Sequence, residues 1–243
     1  MPRLAGHHAR VLPPPEWDGA DLSGNTLLIE NRSPDLGPPF RVARLIGPAA
    51  ARARHCIVAT EKRLVPLLQR TFPTVRVRSE NEDLTQDLRA VDAVASYATL
   101  GRYFTPDSAA VEASFIPLKA DPILVSQFRQ AYKDGKDLPL IGIAWAALNE
   151  TRMQHVPSID AWAGFLRDFP ATYVSLQYRL PGASVAQLEK ASNVRVIDDD
   201  SVDQFLDLDR FAAQIASLDA VVTIAVTGAD AAGALGVRCI ERL

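Results

Sequence analysis

The stretch Leu218–Gly236, LDAVVTIAVTGADAAGALG, decides how this chain is read. It opens with an apolar run, Ala220–Ala225, rich in Val and Ile. It turns through Val226–Thr227–Gly228 and continues as a helix of small residues, Ala229–Leu235. A buried strand feeding a Gly- and Ala-rich helix N-terminus is how open α/β sheets build a ligand crevice, because the unpaired N–H groups of the first turn suit a phosphate. The same pattern also describes a tight strand-to-helix turn whose small residues serve close packing. A short Gly-rich turn does not choose between the two.

Outward from this stretch, the same rhythm recurs. Upstream in the second half, Leu140–Trp145, Thr172–Gln177 and Val194–Asp198 read as buried strands. Helices read at Ser158–Asp168, with Ser158 as N-cap, at Ser184–Ala191 and at Asp209–Ser217. Val237–Ile240 reads as one more strand. The first half repeats the alternation. Strands are expected at Thr26–Glu30, His55–Thr60, Thr74–Arg78, Asp92–Ser96 and Ser114–Leu118. Helices are expected over Phe40–Arg54, interrupted near Gly47–Pro48, and over Glu61–Thr71, Tyr97–Phe104 and Pro122–Tyr132. Continuous apolar strands alternating with helices imply parallel sheets covered on both faces.

The charged, Gly-containing segment Lys133–Asp137 is the best boundary. The expected organisation is an irregular Pro-rich lead-in over 1–24, with Trp17–Asp18–Gly19 as an anchor or turn, then Rossmann-like domains over 25–135 and 138–243 that face a cleft. The second of these is expected to be truncated.

Composition narrows the function classes. The chain has 243 residues, 48% hydrophobic and 23% charged, with a net charge of −3. That argues against a general nucleic-acid binder. Cys56 and Cys239 sit in apolar strand-like runs and read as buried thiols, not a disulfide or metal pair. No run approaches the roughly 20 apolar residues that span a bilayer. The first residues lack the apolar core of a signal peptide. The expectation is a soluble, cytoplasmic protein without an integral membrane segment.

Several residues are candidates for chemistry. Asp198, Asp199 and Asp200, with Asp203, Asp207 and Asp209, can be read as a cation site or as a solvated acidic loop, and they lack the spacing of a calcium loop. Arg152 and His155 follow the strand at 140–145, where open sheets bind ligands, and form either an anion-binding pair or an exposed polar loop. Ser175 and Gln177 end the next strand and point toward the same edge. No Walker loop, spaced Cys/His metal motif or Ser/His/Asp order is present.

Longer segments carry a resemblance. They are WDGADLSGNTLLIE (Trp17–Glu30), Leu36–Gly37, LPLIGIAW (Leu138–Trp145), SIDAWAGFLRDFPATYVSLQY (Ser158–Tyr178), LDLDRFAAQIASLDAVVTI (Leu206–Ile224) and AAGALG (Ala231–Gly236). In this order, and over most of the chain, they resemble the glycosyltransferase-like domain found at the C-terminus of bacterial tetratricopeptide-repeat proteins. That domain is similar to the heptosyltransferases of glycosyltransferase family 9. The resemblance implies a GT-B fold and a nucleotide-sugar donor held mainly by the second domain. It also implies transfer to an acceptor without metal or other cofactor, with the leaving diphosphate stabilised by helix N-termini and side chains. It places the donor against Thr227, Gly228, Asp230, Ser175, Gln177 and Arg152.

The departures from the family pattern are specific. Where the family's first loop carries Leu-Gly-Asp, with that Asp a general base, this chain has Pro38, and Asp35 is the fallback base. Where the family carries an acidic or amide residue, a Thr and then a His around the second-domain turn, this chain has Ala225, Val226 and Asp230. A carboxylate at Asp230 repels a diphosphate. Two functions therefore stand. One is a glycosyltransferase-like protein of weak or absent activity. The other is a non-catalytic pseudoenzyme that keeps the fold for binding or assembly, with a protein partner or a second copy of itself.

Overall fold

The computed structural model of the protein describes residues 14–31, 37–83, 90–104, 116–146, 156–178 and 184–241. Two all-parallel sheets organise it. The first contains β1 (Leu22–Glu30), β2 (Ala53–Thr60), β3 (Arg76–Ser79) and β4 (Ala93–Ser96), in the order β3-β2-β1-β4. The second contains β5 (Leu140–Ala144), β6 (Thr172–Ser175), β7 (Val196–Ile197), β8 (Ala220–Thr223) and β9 (Cys239–Glu241), in the order β7-β6-β5-β8-β9. The helices are α1 (Gly37–Ala50), α2 (Val65–Thr71), α3 (Tyr97–Phe104), α4 (Pro122–Lys133), α5 (Ile159–Asp168), α6 (Val185–Ser192), α7 (Leu208–Ala216) and α8 (Thr227–Leu235).

Burial explains the strand order. Leu27, Leu28 and Ile29 of β1 are fully buried, and every residue of β5 and β8 is buried, as central parallel strands covered on both faces require. The edge strands β3 and β9 keep exposed positions. Gly142 in mid-β5 is a packing requirement. A Cβ there would stand 2.6 Å from the terminal methyls of Leu176 and Leu218.

Each sheet winds outward on one side of its first strand and then returns to the other side. The winding direction reverses between β1 and β4 in the first sheet and between β5 and β8 in the second. Crevices open at the carboxyl ends of strands at such reversals. The helix after β1 is α1 and the helix after β8 is α8, so two helix N-termini belong to these two places.

The two halves share one core. Phe40, Ala43 and Ile46 of α1 belong to the same buried cluster as Leu208, Phe211 and Ala212 of α7 and Ala231, Ala232 and Leu235 of α8. α1 packs directly on α8, where alanines let the backbones approach. Arg70 at the end of α2 grips Asp209 in α7 through two parallel bonds of 2.8 Å each, a forked geometry with defined direction. The connecting segment adds to the join, because the Leu118 amide donates to the Ala234 carbonyl at 2.8 Å.

Several expectations are corrected. α1 starts at Gly37 and runs through Pro48 without interruption. Pro38 and Pro39 occupy its first turn, where a missing N–H and a fixed φ cost nothing. Residues 116–118 form no strand, while Ser114 lies outside the described residues. β1 begins at Leu22, inside the expected lead-in, and Trp17 just before it is buried against Tyr103 and Phe104. β6 and β7 are shorter than expected, and α8 begins at Thr227, two residues earlier than its small-residue run suggests.

Candidate functional site

The opening stretch forms the β8–turn–α8 unit, and α8, like α2 with Leu64 at its N-cap, starts without a side-chain cap bond. Asp121, Ser158, Ser184 and Asp207 cap α4, α5, α6 and α7, each accepting from a backbone N–H of the first turn. The N-cap of α8 is Val226, in extended conformation, with no side-chain cap bond. Thr227 and Gly228 are the first two residues of this helix, so their amides lie among the N–H groups that an α-helix cannot satisfy internally. Gly228 is buried, with the Val226 methyl 4.0 Å from where a Cβ would stand, and Thr227 is half-buried.

Asp230 lies in the same first turn and faces the other half. Its carboxylate stands 3.4 Å from Nε of Arg41 in α1. It also lies so close to Gly37, the first residue of α1, that a Cβ on that glycine would collide with the carboxylate oxygen. The Arg41 side chain is 61% exposed and that of Asp230 is 23% exposed, so the pair is screened on one side by water. Arg41 went unsingled in the sequence. Only the turn of α1 on which it sits, one turn after Gly37, pointed toward it.

Ser175 and Gln177 lie on the carboxyl edge of the second sheet. Register places Ser175 beside Ile143, and Ile143 beside Val222, so they sit two strands away from β8, on the order of 10 Å. Both are buried, Ser175 at 1% and Gln177 at 5% exposure. The Gln177 amide is saturated. Its Oε1 accepts from the Trp145 and Ala146 amides at 2.8 Å each, and its Nε2 donates to the Ala146 and Tyr178 carbonyls at 3.0 Å each. Those four bonds use the whole capacity of a primary amide. Gln177 thus ties the end of β6 to the end of β5. Ser175 Oγ accepts from the backbone N–H of Gln177 at 3.3 Å. Asp35 and Arg152, together with His155, lie outside the described residues.

Beyond Gln177 a groove of about 350 Å³ is lined by Tyr178, Asp198, Asp199, Asp200, Phe205 and Leu206 among others. The Tyr178 and Phe205 rings meet edge to face, 6.0 Å apart. Arg63, from the first half, lays its guanidinium 4.5 Å over Phe205 and donates to the Phe205 carbonyl. Two carboxylates of this groove, Asp199 and Asp203, are engaged by groups of the chain itself. Asp199 accepts from Tyr132 Oη at 2.7 Å and from the Ser201 amide at 2.9 Å. Burial pushes its carboxyl up, but the bonds from Ser201 and Tyr132 outweigh it and leave the group below the ordinary carboxylate range. Burial, and next the bond to Asp199, push the Tyr132 phenol up. Asp203 accepts from the Phe205 and Leu206 amides. Among the described residues no three His, Cys, Asp or Glu side chains gather as a metal site requires. Cys56 is a buried free thiol pushed up to about 12 by burial, and Cys239 is free and half-buried.

This arrangement is an α/β fold of the GT-B glycosyltransferase type, as comparison with solved structures shows. A glycosyltransferase of family 9 from Veillonella parvula superposes with a TM-score of 0.59 at 10% identity, covering 88% of this chain and 79% of its own. The ADP-heptose lipopolysaccharide heptosyltransferase II of E. coli superposes with a TM-score of 0.55 at 15% identity, covering 89% and 84%. The iron-containing dodecameric glycosyltransferase TibC of enterotoxigenic E. coli H10407 gives 0.56 at 9% identity, covering 95% and 59%. In sequence the chain is similar to the protein FlbA of Caulobacter vibrioides, 26% identical over 251 residues. That match covers 97% of this chain but 42% of FlbA, so the chain spans less than half the length of its curated relative. No family model matches. No helix among the described residues is long and apolar enough to cross a membrane.

Proposed function

We propose that this is a degenerate glycosyltransferase family 9-like protein whose donor crevice lies at the N-terminus of α8, and that its transfer of sugar from a nucleotide-sugar donor to an acceptor is weak or absent. The observation that carries this reading is the uncapped N-terminus of α8 at the carboxyl end of β8, facing α1 of the other half. The amides of Thr227 and Gly228 are the donors suited to a diphosphate, and the positive end of the helix favours its charge. Such a crevice stabilises a leaving diphosphate without metal. Arg152 as a second cation and Asp35 as the base rest on the family resemblance.

A second reading is favoured by specific observations. Asp230 brings a negative charge into the crevice, Gln177 spends its amide on backbone, and Pro38 stands in place of the family's base. These support a non-catalytic protein that keeps the fold for binding or assembly, with a protein partner or a second copy of itself. Calorimetric titration with UDP-, GDP- and ADP-sugars separates the two. The first reading expects near-millimolar binding of one nucleotide class, weakened further in Thr227→Pro, which removes one of the two donor amides at a helix position that tolerates proline. Heatless titrations with all three would leave the second reading alone, and micromolar binding with turnover lost in Asp35→Asn would instead establish an active transferase.

A further inference from the structure

We propose that Asp230 is a built-in occupant of the crevice, an autoinhibitory contact in which its carboxylate takes the position between α8, the N-terminus of α1 and Arg41 that an anionic donor would otherwise hold. This rests on the donor crevice proposed above, and three features carry it further. Asp230 is in the first turn of α8, so it stands where an incoming diphosphate would meet that helix. Its carboxylate does not turn to bulk solvent but crosses to the other half. There it meets Arg41 Nε at 3.4 Å and abuts Gly37, the first residue of α1. The positive end of a second helix and a guanidinium are the partners an external anion would seek.

Gly37 makes the contact sterically specific. Its φ is not in the left-handed region, so backbone freedom does not account for a glycine there. A Cβ there would collide with an Asp230 carboxylate oxygen, the end of a side chain that would have to move aside. The contact also spans a join that is already closed by packing of α1 on α8 and by the Arg70–Asp209 fork. The packing fixes the helices that bring the two groups together, while the ion pair itself contributes little at this exposure.

Two measurements on the full chain test this. The first needs no ligand. Gly37→Ala should lower the melting temperature measurably more in the presence of Asp230 than in an Asp230→Ala background, where the collision is gone. The part of the loss that comes from placing a Cβ before Pro38 is common to both backgrounds. Equal losses in both would overturn the contact. The second is calorimetry with ADP and with inorganic pyrophosphate on the parent, the isosteric Asp230→Asn and Arg41→Gln. Asp230→Asn should bind at least tenfold more tightly than the parent. Arg41→Gln, which removes this ion pair but leaves the carboxylate in place, should bind no more tightly. Equal affinity of the parent and Asp230→Asn would overturn self-occupancy. If neither anion binds Asp230→Asn while the Gly37–Asp230 coupling persists, self-occupancy is likewise overturned. The contact would then be a clasp only, and the failure would lie with the donor crevice itself.

Discussion

Two helix starts on the same sheet behave in opposite ways. α6 begins with a reciprocal capping box, in which Ser184 Oγ accepts from the Gln187 amide at 3.3 Å and Gln187 Oε1 accepts from the Ser184 amide at 3.5 Å. α8 begins at Val226 with no side-chain cap at all. α6 lies toward the sheet margin, beside the edge strand β7, whereas α8 leaves the carboxyl end of β8 next to the reversal of winding. The difference separates a helix end finished for stability from one left open. An uncapped N-terminus forgoes about 1 kcal/mol that Ser, Asp or Asn would supply, as α2 does at Leu64.

The contrast can be broken from either side. The largest effect is expected at the neighbouring strand end. Gln177→Leu removes the amide that satisfies the Trp145 and Ala146 N–H groups and should cost about 2–4 kcal/mol, because two buried donors are left without partners. Chemical denaturation measures it, and a loss below about 1 kcal/mol would show that Gln177 is not the tie it resembles. Ser184→Ala should cost about 1 kcal/mol by the same measurement, the ordinary penalty for deleting a cap. Val226→Ser is expected to act in the opposite direction and by less, raising stability by a few tenths to about 1 kcal/mol, since Val226 already has the extended φ/ψ that an N-cap needs. A destabilised Val226→Ser would mean that the side chain of Val226 contributes more by packing than the open amides forgo.

The fold was legible wherever local pattern and tertiary environment agree. The Leu27–Ile29 part of β1, and β5 and β8, are buried on both faces, and their apolar runs read directly as central parallel strands. The margins were less legible. β7 is two residues long, and the apolar run around it gave no sign of how little of it would pair. The start of α1 was misplaced because Pro38–Pro39 looks like a loop, although proline is well suited to a first turn.

The candidate site divides in the same way. Thr227 and Gly228 were readable as the turn between strand and helix, although they belong to the first turn of α8 itself. The position of Gln177 at a strand end was also readable, but its saturation by four backbone bonds was not, because its partners come from the end of another strand. Asp230 was recognisable as a charge of the wrong sign for a diphosphate. That it reaches Gly37 and Arg41 is a property of how the halves meet, to which no local pattern refers.

The packing of α1 on α8 also bears on how the chain comes to be folded. α1 precedes α8 by most of these 243 residues, yet each covers the other's apolar face. Until Leu235 has left the ribosome, Phe40, Ala43 and Ile46 lack the alanine-rich surface that completes their burial. Loop closure over most of the chain must therefore precede consolidation of its first sheet. Such long-range closure slows folding and leaves apolar surface open to misassociation in the meantime. The N-terminal half of this protein should thus depend on the arrival of its far end, ripening as one unit with the second half rather than ahead of it.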